Sequence, residues 1–341
     1  MCTTSKDVLL EVKNLKCYFN DNSGILKKNS NIVKAVDGIS FNIKKGEVYG
    51  LVGESGCGKS TTGRAILDLI PKVSGSLTFD NKLIFDIEKK YNIKRSEFKD
   101  IRKNMQMIFQ DPYSSLDPHM TVGNIIKQGL IKNKVVNKKT CNKEIINILE
   151  LCGLRDCDID KYPHEFSGGE RQRIGIARAL AIRPKFVICD EPTSALDVSI
   201  QAQILILMDK LKKEMNLTYL FISHNLSIIN YFCDRVGVMY LGKIVEEASC
   251  EELFSNPIHP YTKCLISSIP KIHPKEKKER LRLNEDISKC DSYVSGCKLS
   301  SRCPYSNEDC INNEPNLLEV KKDHFVACHC NNIIEIENTT K

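Results

Sequence analysis

No stretch of this sequence approaches the run of about 18 uninterrupted apolar residues that a membrane span needs, so a spanning helix is not expected. The first residues, Met1-Cys2-Thr3-Thr4-Ser5-Lys6-Asp7, lack the apolar h-region of a secretory signal. The chain is therefore expected to be cytosolic and to meet a membrane only through a partner. Charge of one sign is not in large excess either: 50 Lys and Arg stand against 43 Asp and Glu, a net charge of +7. The one dense basic run, Lys275 to Arg282, is interleaved with glutamates and reads as a linker or exposed helix. A nucleic-acid patch would need clustered basic residues among aromatics or glycines, so nucleic acid is not an expected partner. No internal repeat is visible.

Cysteine, by contrast, is abundant. The chain has 16 in 341 residues, ten scattered through residues 1–264 and six between Cys290 and Cys330. In a cytosolic protein these do not read as a disulfide framework. Their crowding near the carboxyl end points instead to a second, smaller module. Hydrophobic residues make up 41% and charged residues 27%, an ordinary globular mixture.

Apolar patterning predicts strands at residues 8–13 and 33–43, with the polar stretch Asn20–Asn31 as the loop between them. A short strand is expected from Glu47 to Val52, then a helix from Lys59 to about Leu69, stopped by Pro71. Residues 120–155 are mostly helical in pattern. Phe186–Cys189 and Leu217–Ser223 read as buried strands, and residues 203–215 place Ile204, Leu207, Met208, Leu211 and Met215 on one helical face. Val236–Tyr240 and Lys243–Glu247 flank Leu241-Gly242 as a hairpin. Strand–helix alternation of this kind argues an α/β core with a parallel sheet.

Between a predicted strand and a predicted helix stands Gly53-Glu54-Ser55-Gly56-Cys57-Gly58-Lys59-Ser60, followed by Thr61, which fits the phosphate-loop pattern G-x-x-x-x-G-K-[ST]. The glycines let the backbone curl so that its N–H groups face phosphate oxygens. The helix beginning at Lys59 adds the positive end of its dipole. Lys59 can meet the β- and γ-phosphates, and the Ser60 hydroxyl can ligate Mg²⁺. A second site follows where Phe186-Val187-Ile188-Cys189 ends in Asp190-Glu191. Two acids at the carboxyl edge of a parallel sheet lie where ligands bind in such folds. Asp190 is suited to hold Mg²⁺ and Glu191 to polarise the attacking water.

Phe166-Ser167-Gly168-Gly169-Glu170-Arg171-Gln172 narrows the class. It resembles the Leu-Ser-Gly-Gly-Gln signature of ABC ATPases, departing from it in Phe166 and Glu170. Physically it is a second phosphate cradle, with Ser167 as helix N-cap and two glycines exposing backbone N–H groups. The resemblance implies that Ser167, Gly168, Gly169 and Glu170 close over a γ-phosphate held by the opposite subunit of a head-to-tail dimer. It also implies a Q-loop at Gln110, sensing Mg²⁺ and the membrane subunit, a D-loop at Ser194-Ala195-Leu196-Asp197 with Asp197 at the dimer seam, and a switch histidine at His224. Phe19 stands where the family places an aromatic against adenine, with Tyr18 the neighbouring candidate and a core role the alternative for either. These elements cover roughly residues 8–250.

Three longer stretches, Gln110–Pro118, Ser194–Gln203 and Asn256–Thr262, resemble the oligopeptide/dipeptide/nickel importer subfamily, and Pro112-Tyr113-Ser114-Ser115 its OppF/DppF-type ATPase. The loop Asn20–Asn31 suits that subunit too. The implied fold is an ABC-type P-loop NTPase at 1–255, with a RecA-like core, an antiparallel β subdomain and a helical subdomain at about 112–180, followed by a small Cys-rich domain at 256–341. The implied partners are a sister ATPase of OppD/DppD type, two membrane permeases and an extracytoplasmic peptide-binding protein, with the chain peripheral at the cytoplasmic face of the membrane. The implied work is peptide import driven by ATP hydrolysis. Nickel or another small solute is the alternative cargo. A non-transport ABC ATPase is disfavoured by the lack of long coiled coils, a second ATPase domain or a large zinc insertion. An iron–sulfur module with weak ATPase activity is the third reading.

Cys297, Cys303, Cys310 and Cys328 are separated by five, six and seventeen residues. That spacing fits neither zinc pairs nor ferredoxins, and by itself suggests only a soft-metal site. The resemblance implies a [4Fe–4S] cluster on these four thiolates; structural zinc or simply free buried thiols are the alternatives. Cys290 and Cys330 are left over.

Overall fold

The computed structural model describes residues 7–21, 31–137, 140–269, 283 and 295–330. The interior of the expected Asn20–Asn31 loop, the Lys275–Arg282 run and Cys290 lie outside them. In chain order the first elements are β1 (Val8–Asp21), β2 (Asn31–Lys44), β3 (Val48–Val52), α1 (Lys59–Ile66), β4 (Ser74–Phe79), β5 (Lys82–Asp86), β6 (Tyr91–Asn92), α2 (Arg95–Lys103) and β7 (Met105–Ile108). Next come α3 (Pro112–Ser115), α4 (Val122–Lys132), α5 (Cys141–Leu151), α6 (Gly168–Leu180), β8 (Phe186–Asp190), α7 (Val198–Met215), β9 (Thr218–Ser223) and α8 (Leu226–Phe232). The last are β10 (Arg235–Tyr240), β11 (Lys243–Ser249), α9 (Cys250–Ser255), α10 (Pro260–Ser267), α11 (Glu308–Asn312), β12 (Leu318–Lys321) and β13 (His324–Val326).

Among the described residues these strands form two sheets. One is antiparallel, in the order β2-β1-β4-β5-β6; the other runs β12-β13-β11-β10-β3-β9-β8-β7. From β10 to β7 the second sheet is parallel throughout. Its central strands are buried along their whole length, as are Phe186, Val187, Ile188 and Cys189 of β8. A parallel strand covered on both faces needs an unbroken apolar run, and that is what the sequence provides there. Full burial of each such side chain contributes about 1.5–3 kcal/mol.

The helices run close to the expected positions, with informative differences. α1 stops at Ile66 rather than Leu69, because Asp68 takes a left-handed backbone (φ 56°). α7 begins five residues before Gln203, at an exposed Val198 whose position the apolar stripe does not mark. Helices α4 to α6 bury Ile125, Ile126, Leu130, Ile145, Leu149 and Ile174 in one cluster beside the parallel sheet.

The described residues of the carboxyl-terminal region are not set apart from this core. β13 pairs with β11, bringing Glu246 opposite Val326, and β12 pairs with β13. Beneath that edge the fully buried Glu246 accepts a hydrogen bond at Oε1 from the Ile258 N–H (2.8 Å) and at Oε2 from the His259 N–H (3.0 Å). Its Oε1 also meets Nε2 of the buried His324 at 2.8 Å. One carboxylate thus ties β11, the start of α10 and the terminal hairpin together.

Candidate nucleotide site

β3 lies between β10 and β9, and its carboxyl end feeds the loop Gly53–Gly58 into α1. Two of the glycines are required by geometry. Gly53 has φ 155° and Gly58 φ 107°, conformations that residues with a Cβ rarely adopt. A Cβ on Gly53 would stand 2.1 Å from the Met239 carbonyl oxygen, and one on Gly58 2.0 Å from that of Ala35. The Lys59 ammonium is buried and folds back over the loop, donating to the carbonyls of Gly53 (2.7 Å) and Glu54 (2.9 Å). Cys57 Sγ lies 3.6 Å from the same ammonium, and burial pushes its thiol pKa up. A cleft of about 610 Å³ opens over the loop, with Lys59, Ser60, Thr61, Gln110, Glu191 and His224 on its walls.

The two acids ending β8 have different surroundings. Asp190 is buried and accepts a 2.6 Å hydrogen bond from Ser60 Oγ. Burial raises its pKa; the Ser60 bond and the charges of Arg64 and Lys59 oppose the rise without cancelling it. Glu191 has a left-handed backbone, φ 46°, while its N–H is held by the Ile222 carbonyl at 2.9 Å. Such a conformation costs on the order of 1–3 kcal/mol at a non-glycine residue. Its carboxylate stands between two side chains. Gln110 Nε2 donates to Oε2 at 3.1 Å, and His224 Nδ1 lies 3.0 Å from Oε1. Gln110 follows β7 and His224 follows β9, so three neighbouring parallel strands deliver these side chains to one edge.

The signature residues are placed elsewhere. Ser167 is the N-cap of α6, where Ser167 and Glu170 form a reciprocal capping box. Ser167 Oγ accepts the Glu170 N–H at 3.4 Å, and Glu170 Oε2 takes the Ser167 N–H at 2.9 Å and its hydroxyl at 2.8 Å. Those bonds hold the Glu170 carboxyl below its usual pKa. A capping box takes Glu or Gln at this position, so Glu170 fills a local structural role that Gln would also fill. Ser167, Gly168, Gly169 and Glu170 do not line the cleft, and neither does Asp197, which sits at the N-cap of α7. Phe19 is exposed on β1 and also outside the cleft wall, whereas the Tyr18 hydroxyl donates to Asp37 Oδ1 at 2.6 Å.

Contacts that motif reading did not reveal tie the Q-loop segment to the signature helix. The Arg171 guanidinium lies over the Tyr113 ring, 3.8 Å from its centroid, and Arg178 donates to the Ser115 carbonyl. Arg171 and the stretch Pro112–Ser115 stood in the motifs read from the sequence, though not as a helix or as partners. Only the fold brings positions about 60 residues apart into contact, so no local signal could have paired them.

Of the six cysteines in the tail, five are described, and all five are free thiols. Burial pushes Cys303 up to about 11 and Cys328 up to about 12, and it raises Cys297 as well. Each of these three also feels the charge of at least two other thiols of the group. Cys330, left over in the sequence reading, belongs to the same set, with side-chain contacts to Cys310 and Cys328. The expected metal quartet Cys297, Cys303, Cys310 and Cys328 therefore gathers in one region. It does not close on one point: among the described residues no group of three or more His, Cys, Asp or Glu is arranged to hold a single metal ion. That arrangement supports neither a structural zinc nor an iron–sulfur cluster, although an all-thiol donor set is of the kind soft metals take.

This fold and this cleft can be set against known proteins. A family described as "ABC transporter" matches residues 36–194, and one described as "Oligopeptide/dipeptide transporter, C-terminal region" matches residues 245–310. The chain is 45% identical to the oligopeptide transport ATP-binding protein AppF of Bacillus subtilis, covering 96% of this chain and 99% of that protein. It is 48% identical to OppF of the same organism, covering 94% and 96%. Among solved structures, cbiO1 of Clostridium perfringens, part of the ABC transporter complex cbiONQ, superposes with a TM-score of 0.62 at 30% identity over 73% of this chain and 92% of that one. The ATP-binding cassette MJ0796, in a dimeric post-hydrolysis state bound to ADP and phosphate, gives 0.60 at 26% identity over 71% and 99%.

The chain belongs to the ABC transporter ATP-binding family and is an ABC-type P-loop ATPase. Within that family it is similar along nearly its whole length to oligopeptide transport ATP-binding proteins, carboxyl-terminal region included. Among the described residues no helix is long and apolar enough to cross a membrane.

Proposed function

We propose that this chain is the ATP-hydrolysing motor subunit of an importer for oligopeptides or dipeptides. It works at the cytoplasmic face of the membrane, paired head to tail with a sister ATPase of OppD/DppD type. Two permeases carry the motion, and an extracytoplasmic binding protein delivers the peptide. The observation that carries the motor reading is the Glu191 carboxylate held between Gln110 and His224 at the rim of the P-loop cleft. The peptide cargo rests on the similarity to AppF and OppF and on the match at residues 245–310.

In this reading backbone N–H groups of residues 53–61 and the Lys59 ammonium grip the triphosphate, with Phe19 or Tyr18 beside the adenine. Ser60, Gln110 and Asp190 would hold Mg²⁺, which neutralises charge developing on the phosphates. Glu191 accepts a proton from the attacking water, and His224 orients that carboxylate and meets the γ-phosphate. The partner's signature closes the site, as Ser167, Gly168, Gly169 and Glu170 close the partner's, with Asp197 at the seam. The Arg171–Tyr113 and Arg178–Ser115 contacts let α6 and the Q-loop segment move together. Residues 256–341 form an accessory region in which Cys297, Cys303, Cys310 and Cys328 would ligate a [4Fe–4S] cluster, a metal staple for a segment with little core of its own.

The test is a reconstituted complex of both ATPases and both permeases. Peptide-loaded binding protein should stimulate phosphate release and drive peptide accumulation. Stimulation by a nickel-loaded binding protein but not by peptide would replace the cargo, and turnover indifferent to the permeases would remove the motor role.

A further inference from the structure

The P-loop is braced from outside by the carboxyl-terminal third of the chain, at Glu54 and at Cys57. The Tyr261 hydroxyl, on α10, accepts the backbone N–H of Glu54 at 2.8 Å. Arg302 places Nη1 3.5 Å from Glu54 Oε2 and 3.3 Å from the Tyr240 hydroxyl. The Tyr240 ring packs on that of Tyr261, with centroids 4.7 Å apart. From the other side the Gly242 N–H donates to the Cys57 carbonyl at 2.9 Å. That turn is in its own turn held by Lys298, whose ammonium donates to the Leu241 carbonyl at 2.8 Å and meets Asp37 at 3.0 Å. Lys298 and Arg302 both lie in the short turn between Cys297 and Cys303.

Charge gives these contacts a consequence for ligand binding. Glu54 is a carboxylate inside a loop built to receive a polyanion. Arg302, only 8% exposed, is the cation set against it. Without that guanidinium the carboxylate would repel a bound triphosphate across a partly desolvated gap, where screening is weak. Tyr261 acts on the same peptide by another route. Lys59 now donates to the carbonyls of Gly53 and Glu54 and must exchange them for phosphate oxygens when nucleotide enters. The bond from the Glu54 N–H to Tyr261 keeps that stretch oriented while the exchange takes place.

We propose that Arg302 and Tyr261 are positioning residues for the P-loop, so that the thiol-bearing tail sets the affinity of the ATP site. This rests on the ATP site described above and adds to it a control from outside the ATPase motifs. The experiment titrates a fluorescent methylanthraniloyl derivative of ATP into the full-length chain. Arg302→Gln weakens binding roughly threefold to tenfold, the span of one net hydrogen bond or ion pair. Arg302→Lys recovers part of the loss. Adding Glu54→Gln to Arg302→Gln restores affinity, because the unpaired carboxylate is gone; a merely structural role for Arg302 would leave the double variant weak. Tyr261→Phe weakens binding on its own, which keeps the test decisive if Arg302→Gln fails to fold. Lys321→Gln, which loses an ion pair with Glu252 on the same segment, leaves affinity unchanged. Parent-like binding by folded Arg302→Gln and Tyr261→Phe would overturn the proposal, as would equal weakening in Lys321→Gln. A parent chain that ignores the nucleotide would instead refute the ATP site.

Discussion

Glu191 Oε1 lies 3.0 Å from Nδ1 of His224, and its other oxygen accepts the Gln110 amide at 3.1 Å. A carboxylate held at both oxygens and at its own N–H is fixed in direction, which is what a positioned base needs. Glu191→Gln is therefore expected to bind ATP like the parent and to hydrolyse it about 10²–10⁴-fold more slowly. Nucleotide titration beside single-turnover phosphate release checks this. Parent-like turnover would take the base role from Glu191.

The capping box at the start of α6 makes a prediction that separates stability from charge. Ser167→Ala removes the cap and is expected to cost about 1 kcal/mol, read from denaturant unfolding. Glu170→Gln keeps the reciprocal geometry and should leave stability nearly unchanged. If Glu170→Gln destabilises the chain as much as Ser167→Ala, the carboxylate charge matters more than the cap.

His324 offers a pH-dependent measurement. Burial alone would lower its pKa, but hydrogen bonds and charge from Glu246 and Glu252 raise it overall. A histidine whose folded pKa is raised contributes stability that is fully present below its unfolded value of about 6.5. That contribution is lost as pH climbs through the raised value. The melting-temperature gap between the parent and His324→Asn should therefore be widest in mildly acidic buffer and shrink toward alkaline pH. A gap that grows with pH would contradict the charged Glu246–His324 pair.

The tail cysteines lead to a chemical assay. Protein purified without oxygen is expected to carry iron and acid-labile sulfide, and Cys303→Ser to lose both. A folded tail free of both in the parent would leave the thiols with no cluster to hold, whereas zinc in place of iron would change the metal.

Some of this molecule can be read directly along the chain. β3, β8 and β9 are buried on both faces, so their sequences are largely apolar runs, those of β3 and β8 bounded by glycine, proline or acid. The P-loop was equally legible, since only glycine tolerates the backbone at Gly53 and Gly58. β4 was not: it begins Ser74-Gly75-Ser76 and leaves Leu77 and Phe79 as its only large inward residues, too short an alternation to register. The exposed position of Phe19, outside the cleft, was not legible either, because adjacent aromatics on a strand point to opposite faces and the sequence does not say which face is which.

Sequence alone settled the kinds of group at the nucleotide site and their order: curled glycines, one ammonium, a hydroxyl, and two acids at a strand end. These are local demands, met within a few residues of backbone. The tertiary structure decided what stands opposite what. It set Gln110 and His224 on either side of Glu191, Arg302 against Glu54, and His324 beneath Glu246. Those pairs join residues 33 to 248 positions apart. Their meeting depends on strand order and burial, which no short stretch of chain encodes.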